Sequence, residues 1–78
     1  LWKSRAGLDE KSMTRLSIAY ARALDAEEGL ESALAPLRAA LEALRDVERR
    51  RQIYVQAGEL YETHERFDAA IAAYGGSL

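Results

Sequence analysis

Residues Ile53 to Gly76 decide the fold. They read Ile53-Tyr54-Val55-Gln56-Ala57-Gly58-Glu59-Leu60-Tyr61, then Glu62-Thr63-His64-Glu65-Arg66, then Phe67-Asp68-Ala69-Ala70-Ile71-Ala72-Ala73-Tyr74-Gly75-Gly76. In the first stretch Ile53/Tyr54, Ala57, Leu60 and Tyr61 recur at three- and four-residue spacing, one apolar face of an amphipathic helix. A polar turn at Thr63 to Arg66 follows. A second helix then carries Ala70, Ile71 and Tyr74, with Asp68 the expected N-cap. It stops at Gly75-Gly76, because glycine adopts left-handed backbone without steric cost. Two short helices joined by a tight turn form an antiparallel helical hairpin.

The same pattern occurs once more, 37 positions earlier. Ala21 falls on Gly58, Leu24 on Tyr61, Leu30 on Phe67, Ala33 on Ala70, Leu34 on Ile71, Leu37 on Tyr74, Ala40 on Ser77 and Leu41 on Leu78. Small residues fall on small, and large apolar residues on large. The first helix of this earlier hairpin is expected to begin at Glu10 behind an Asp9 N-cap. Its apolar face is read as Met13, Leu16, Ala19/Tyr20, Ala23 and Leu24, and Gly29 ends it. The second, from about Glu31 to Leu44 or beyond, carries Leu30, Ala33, Leu34, Leu37, Leu41 and Leu44. Pro36 lies inside it and removes one amide donor, so the helix either starts close to Pro36 or kinks there. The small residues Ala21 and Ala33, then Gly58 and Ala70, permit close crossing of paired helices. The expected organisation is an N-terminal lead-in at 1–9, a first hairpin at 10–44, a charged segment at 45–50 and a truncated second hairpin at 51–78. The segment from Arg45 to Arg51 can serve as a linker or continue the helix.

Tyr54-x-x-Ala57-Gly58-x-x-Tyr61, followed by Phe67 and Ala70-Ile71-x-x-Tyr74, resembles the tetratricopeptide repeat, whose signature is W-x2-L-G-x2-Y followed by A-x3-F. The earlier copy, Tyr20-Ala21-x-x-Leu24 with Leu30, Ala33-Leu34 and Leu37, is a weaker match. The resemblance covers Thr14 to Leu78. It departs from the family in a period of 37 rather than 34, with three extra residues near Asp46 to Glu48. It also lacks the proline of the repeat end. Longer periods resemble repeats of large bacterial regulators and scaffolds. The resemblance implies an all-α solenoid of about four helices, whose first helices line a groove that holds a peptide or helix of a partner protein. By position the groove would present Arg15, Ile18, Arg22, Asp25 and Ala26, then Gln52, Val55, Gln56, Glu59, Glu62 and Thr63. Family members that clamp the C-terminal carboxylate of chaperones resemble one another in Lys, Asn and Arg at fixed groove positions. Ile18, Arg22, Val55 and Glu59 stand there instead, and Glu59 would repel a carboxylate. The groove fits a partner carrying basic and apolar residues.

Composition supports helix throughout. Of 78 residues, 15 are alanine and 11 leucine, while proline occurs once. Alanine and leucine are strong helix formers, and few β-branched apolar residues are present. The length allows one small domain. The net charge of -2 speaks against a nucleic-acid module, although Arg49-Arg50-Arg51 with Arg45 forms the sharpest charge cluster. Asp46 and Glu48 beside it favour a solvated segment. There is no cysteine, which removes disulfides and thiolate chemistry. No apolar run is long enough to span a membrane, and no signal peptide is visible. The chain starts at Leu1 rather than Met, as expected of a processed or cut piece or of a chain whose first residues are absent. A cytoplasmic location is expected.

No catalytic motif is present, and no cofactor or metal is expected. His64, the only histidine, lies between carboxylates at a turn, where a solvated role outweighs acid–base chemistry. Glu27-Glu28 and Glu59/Glu62 read as solvated faces rather than metal ligands. Tyr20, Tyr54, Tyr61 and Tyr74 read as packing rather than a base-stacking platform, and Trp2 as cover for a core edge. The expected function is a non-catalytic protein–protein interaction module. The alternatives are a repeat fragment of a larger signalling or transcriptional regulator, and a self-assembly module stacking through exposed repeat ends.

Overall fold

A computed structural model of the chain describes residues 2–78, with side-chain surroundings from residue 10 onward. Four helices follow one another: α1 (Trp2–Glu27), α2 (Leu30–Ala43), α3 (Val47–Thr63) and α4 (Phe67–Tyr74). No strand occurs among the described residues. The fold is all-α and built of helical hairpins. α1 packs on α2, α3 packs on α4, and α3 also packs on both α1 and α2. Among the described residues α4 touches α3 alone.

Helix boundaries differ from the sequence reading in three places. α1 begins at Trp2, so residues 2–9 belong to the first helix and Asp9 is no N-cap. That stretch lacks proline, and Gly7 opposes helix by only about 1 kcal/mol. The side chain of Trp2 lies outside the described residues. α2 spans Leu30–Ala43, close to the expected Glu31 to Leu44, with Pro36 inside it, so the helix does not start at the proline. The break after it is only Leu44 to Asp46, and Val47 to Arg50 form the first turn of α3 rather than a separate charged segment. Finally, α4 starts at Phe67 behind Arg66, which makes no side-chain cap; Asp68 sits in the first turn, where its charge favours the helix dipole.

The short corner between α2 and α3 is held by polar groups. Asp46 caps α3 by accepting a hydrogen bond from the Glu48 amide at 2.9 Å. Glu10 of α1 accepts from the Arg45 and Asp46 amides at 3.2 and 2.9 Å. The Arg50 guanidinium donates to the Leu41 and Leu44 carbonyls, which the end of α2 leaves without helical partners.

The turns within the hairpins are as short. Gly29 takes φ +103°, a backbone that other residues rarely adopt, and joins α1 to α2. After α3, Glu65 is left-handed at φ 61°. The Arg66 amide donates to the Tyr61 carbonyl and the Glu65 amide to that of Glu62, the paired bonds of a Schellman motif.

Leu34, Leu37 and Ile53 are the largest fully buried apolar side chains. Burial of each stabilises the fold by about 1.5–3 kcal/mol. Ala21, Ala33, Gly58 and Ala70 are all buried, as expected of residues at close crossings. The apolar face of α1 was misphased. Leu16 and Tyr20 are exposed, and so are Ala19 and Ala23. Met13 and Leu24 of the expected face do pack against the core, but α1 joins them with Ile18 and with buried Thr14 and Ala21. The Thr14 hydroxyl donates to the Glu10 carbonyl at 2.7 Å, which makes its burial tolerable. Phe67, Ile71 and Tyr74 of α4 are also exposed; α4 buries Ala70 and Ala73. Tyr54 and Tyr61 pack against the core, whereas Tyr20 and Tyr74 do not fill core positions.

Candidate interaction groove

α1 and α3 lie side by side and run in the same direction. Ile18 meets Gln52 and Val55, Arg22 meets Gln56, and Asp25 meets His64, so both numbers rise together. Two adjoining depressions follow this seam. The first is lined by Ile18, Arg51, Gln52, Val55 and Gln56. The second is lined by Arg22, Asp25, Gln56, Glu59, Leu60 and Thr63.

All the groove residues expected from the sequence line these depressions, save Arg15, Ala26 and Glu62. Arg15 and Ala26 are exposed on α1 outside them. Glu62 is turned towards α4, where it accepts a hydrogen bond from the Tyr74 hydroxyl at 2.7 Å. That bond, ahead of burial and the charges of Glu62 and Glu59, pushes the Tyr74 pKa up to about 12. The bonded hydroxyl resists ionisation beside two carboxylates.

The groove changes character along its length. At one end Ile18 and Val55 offer an apolar seat, with Arg51 at its edge. Further along, the Arg22 guanidinium donates to the Gln56 side-chain oxygen at 3.3 Å, and the Gln56 amide donates to Glu59 at 3.4 Å. This chain uses Arg22 within the protein and leaves the Glu59 carboxylate on the open side. At the far end the His64 ring and Asp25 carboxylate meet at 2.6 Å and tie the end of α3 to α1. His64 is therefore a fastening between helices, not only a solvated turn residue.

Sequence reasoning did not single out Arg51 and Leu60 as groove residues, nor the Asp25–His64 pair. The 37-residue shift sets Asp25 opposite Glu62, so nothing in the repeat register marks His64. Only the side-by-side placement of α1 and α3 brings the pair together.

Among the described residues no three His, Cys, Asp or Glu side chains converge as a metal site would require. No buried side-chain polar atom there lacks a hydrogen-bond partner. No described helix is long and apolar enough to cross a membrane. No family model matches the chain, and neither does any curated protein or solved structure.

Proposed function

We propose that this chain is a non-catalytic interaction module that binds a peptide or helix of a partner protein along the α1–α3 seam. The observation that carries this is the grading of the seam from the Ile18–Val55 seat to the open Glu59 carboxylate. An extended or helical segment with an aliphatic residue followed by a lysine or arginine matches both ends. The aliphatic side chain gives up apolar surface to water-free contact, and the cation meets a carboxylate. The resemblance of Tyr54 to Tyr74 to a tetratricopeptide repeat points the same way. Phosphate recognition by the arginine cluster is disfavoured, because the Arg50 guanidinium is engaged by the carbonyls that end α2.

The test is selection of displayed random peptides on the chain, followed by affinity measurement on Val55→Ala/Glu59→Ala. Both residues are at least partly accessible, so the variant keeps its fold. Peptides that share an aliphatic–basic pattern and lose binding to the variant are the expected result. Peptides that bind wild type and variant equally would place recognition elsewhere.

A further inference from the structure

The structure holds one interface between hairpins, in which Ile53, Ala57 and Leu60 of α3 share a buried cluster with Leu30, Leu34 and Leu37 of α2. The 37-residue repeat writes each half of that interface a second time. The α3 half, moved back, falls on Leu16, Tyr20 and Ala23 of α1. The α2 half, moved forward, falls on Phe67, Ile71 and Tyr74 of α4. Both second copies are open. Ile53 is 0% exposed and its counterpart Leu16 is 69% exposed. Leu34 is 0% exposed and its counterpart Ile71 is 70% exposed.

We propose that a second copy of this chain docks head to tail, with the Leu16–Tyr20 face of one copy on the Phe67–Ile71–Tyr74 face of the next. The argument is continuity with the interface already present inside the chain. Beside the α4 face lies an open depression of about 460 Å³, to which Arg51 and Tyr74 contribute. Their counterparts 37 positions earlier, Thr14 and Leu37, are fully buried. At these two positions the α4 end repeats surface that is covered within the chain, whereas Gly75 and Gly76 at its rim correspond to the exposed Arg38 and Ala39. The two docking faces differ, so the contact is heterologous and does not close on itself as a two-fold dimer does.

The polar fastenings of the internal interface are not carried over: Arg22 and Gln56 become Glu59 and Ala19, and Arg50 becomes Met13. Glu10, which accepts from the corner amides, becomes Val47. The Asp25–His64 pair becomes Glu62 facing Glu27 of the neighbouring copy. Association is therefore weaker than the packing within the chain, and it depends on concentration. Arg51 and Val55 border both this depression and the α1–α3 groove, but Leu16 and Ile71 line neither groove depression, so variants there read the docking independently of the groove.

The experiment is sedimentation equilibrium of the full chain from micromolar to millimolar, with Leu16→Glu and Ile71→Glu alongside. Both substitutions fall on exposed positions, and circular dichroism checks that helix content is kept. Wild type should rise in average mass beyond two chains, while each variant alone stays at one. An equimolar mixture of the two variants should give dimers and nothing larger, because one intact face remains on each. A wild type that keeps the mass of one chain at millimolar concentration overturns the proposal. So does a Leu16→Glu variant that associates like wild type, which would mean a face-to-face contact through α4 alone.

Discussion

The Tyr74 ring lies over the α-carbon of Gly58, so close that a β-carbon there would fall 2.5 Å from its Cε1. The first hairpin solves the same contact differently, with Ala21 where Gly58 stands and Leu37 where Tyr74 stands. The smaller leucine leaves room for a methyl group, and the larger ring does not. Gly58→Ala alone should cost about 1 kcal/mol, since overpacking of about 1–3 kcal/mol outweighs a gain of about 1 kcal/mol in helix propensity. Gly58→Ala/Tyr74→Leu rebuilds the pairing of the first hairpin. In that background the alanine should stabilise. Urea unfolding of the four proteins of this cycle measures the change of sign; additive effects would mean that the ring moves aside freely.

Tyr74 also predicts a behaviour in alkali. Its hydroxyl donates to Glu62, and its pKa is pushed up to about 12 from an ordinary value of 10.0. A folded-state pKa above the unfolded one means that the folded chain holds this proton more tightly. Its contribution to stability is full below the ordinary tyrosine pKa and is lost as pH rises through the folded value. Ultraviolet titration of tyrosinate should show one late phase, and Glu62→Gln should shift it to lower pH. A Tyr74 that titrates with the other tyrosines would show that the Glu62 bond does not persist in solution.

Glu65 is a non-glycine residue held left-handed at the end of α3. The equivalent turn after α4 uses Gly76, at φ +94°. Glu65→Gly should relieve this strain and stabilise the fold by about 0.5–1 kcal/mol, the steric cost being partly offset by greater freedom of the unfolded chain. A rise in the thermal midpoint is the expected reading. An unchanged or lower midpoint would mean that the Glu65 side chain stabilises the turn by more than its backbone strain costs.

Much of this architecture is legible in the sequence because it rests on local spacing. The four helices, the small residues at the crossings and the stops at Gly29 and Gly76 all follow from three- and four-residue recurrence and from backbone freedom. The phase of α1 does not. Leu16 and Tyr20 recur at helical spacing, but the surface of α1 that α2 and α3 cover carries Thr14, Ile18 and Ala21, and Leu16 and Tyr20 stay exposed. Which face its neighbours cover is a tertiary property, invisible to the helix's own periodicity. The α2–α3 corner was hidden for a related reason. The partners that hold it, Glu10 and Arg50, act from neighbouring helices, so a charged run alone could not show where α2 ends. The groove was legible where register carried it, at Ile18 and Val55 for example. It failed at Arg15 and Ala26, which lie on α1 outside the depressions, and at Glu62, which hydrogen-bonds Tyr74 of α4.

Pro36 offers a test of how far packing overrides local preference. α2 continues through it, although an interior proline removes the amide that would donate to the Ser32 carbonyl and costs about 3 kcal/mol. The helix persists because Leu34, Leu37 and Leu41 are buried on its inner face. Pro36→Ala restores the donor and should stabilise the chain by about 1–2 kcal/mol, less than the full penalty because proline also restricts the unfolded state. A loss of stability would show that the proline sets a curvature of α2 on which the Leu34 and Leu37 packing depends.

Arg50 separates the members of the arginine cluster by role. A single nitrogen of its guanidinium, Nη1, donates to both the Leu41 and the Leu44 carbonyl. Arg51 is exposed and has no such hydrogen bond among those described. Arg50→Ala should therefore cost about 1–2 kcal/mol, by leaving two helix-terminal carbonyls without their charged donor. Arg51→Ala should fall within about 0.5 kcal/mol of wild type, as surface substitutions usually do. Arg50→Lys should recover only part of the loss, because the ammonium sits on a shorter, more flexible stem than the Nη1 that reaches both carbonyls. Denaturant midpoints rank the three variants. Equal losses at Arg50 and Arg51 would mean that the cluster acts through net charge, and that the corner is held by Asp46 and Glu10 instead.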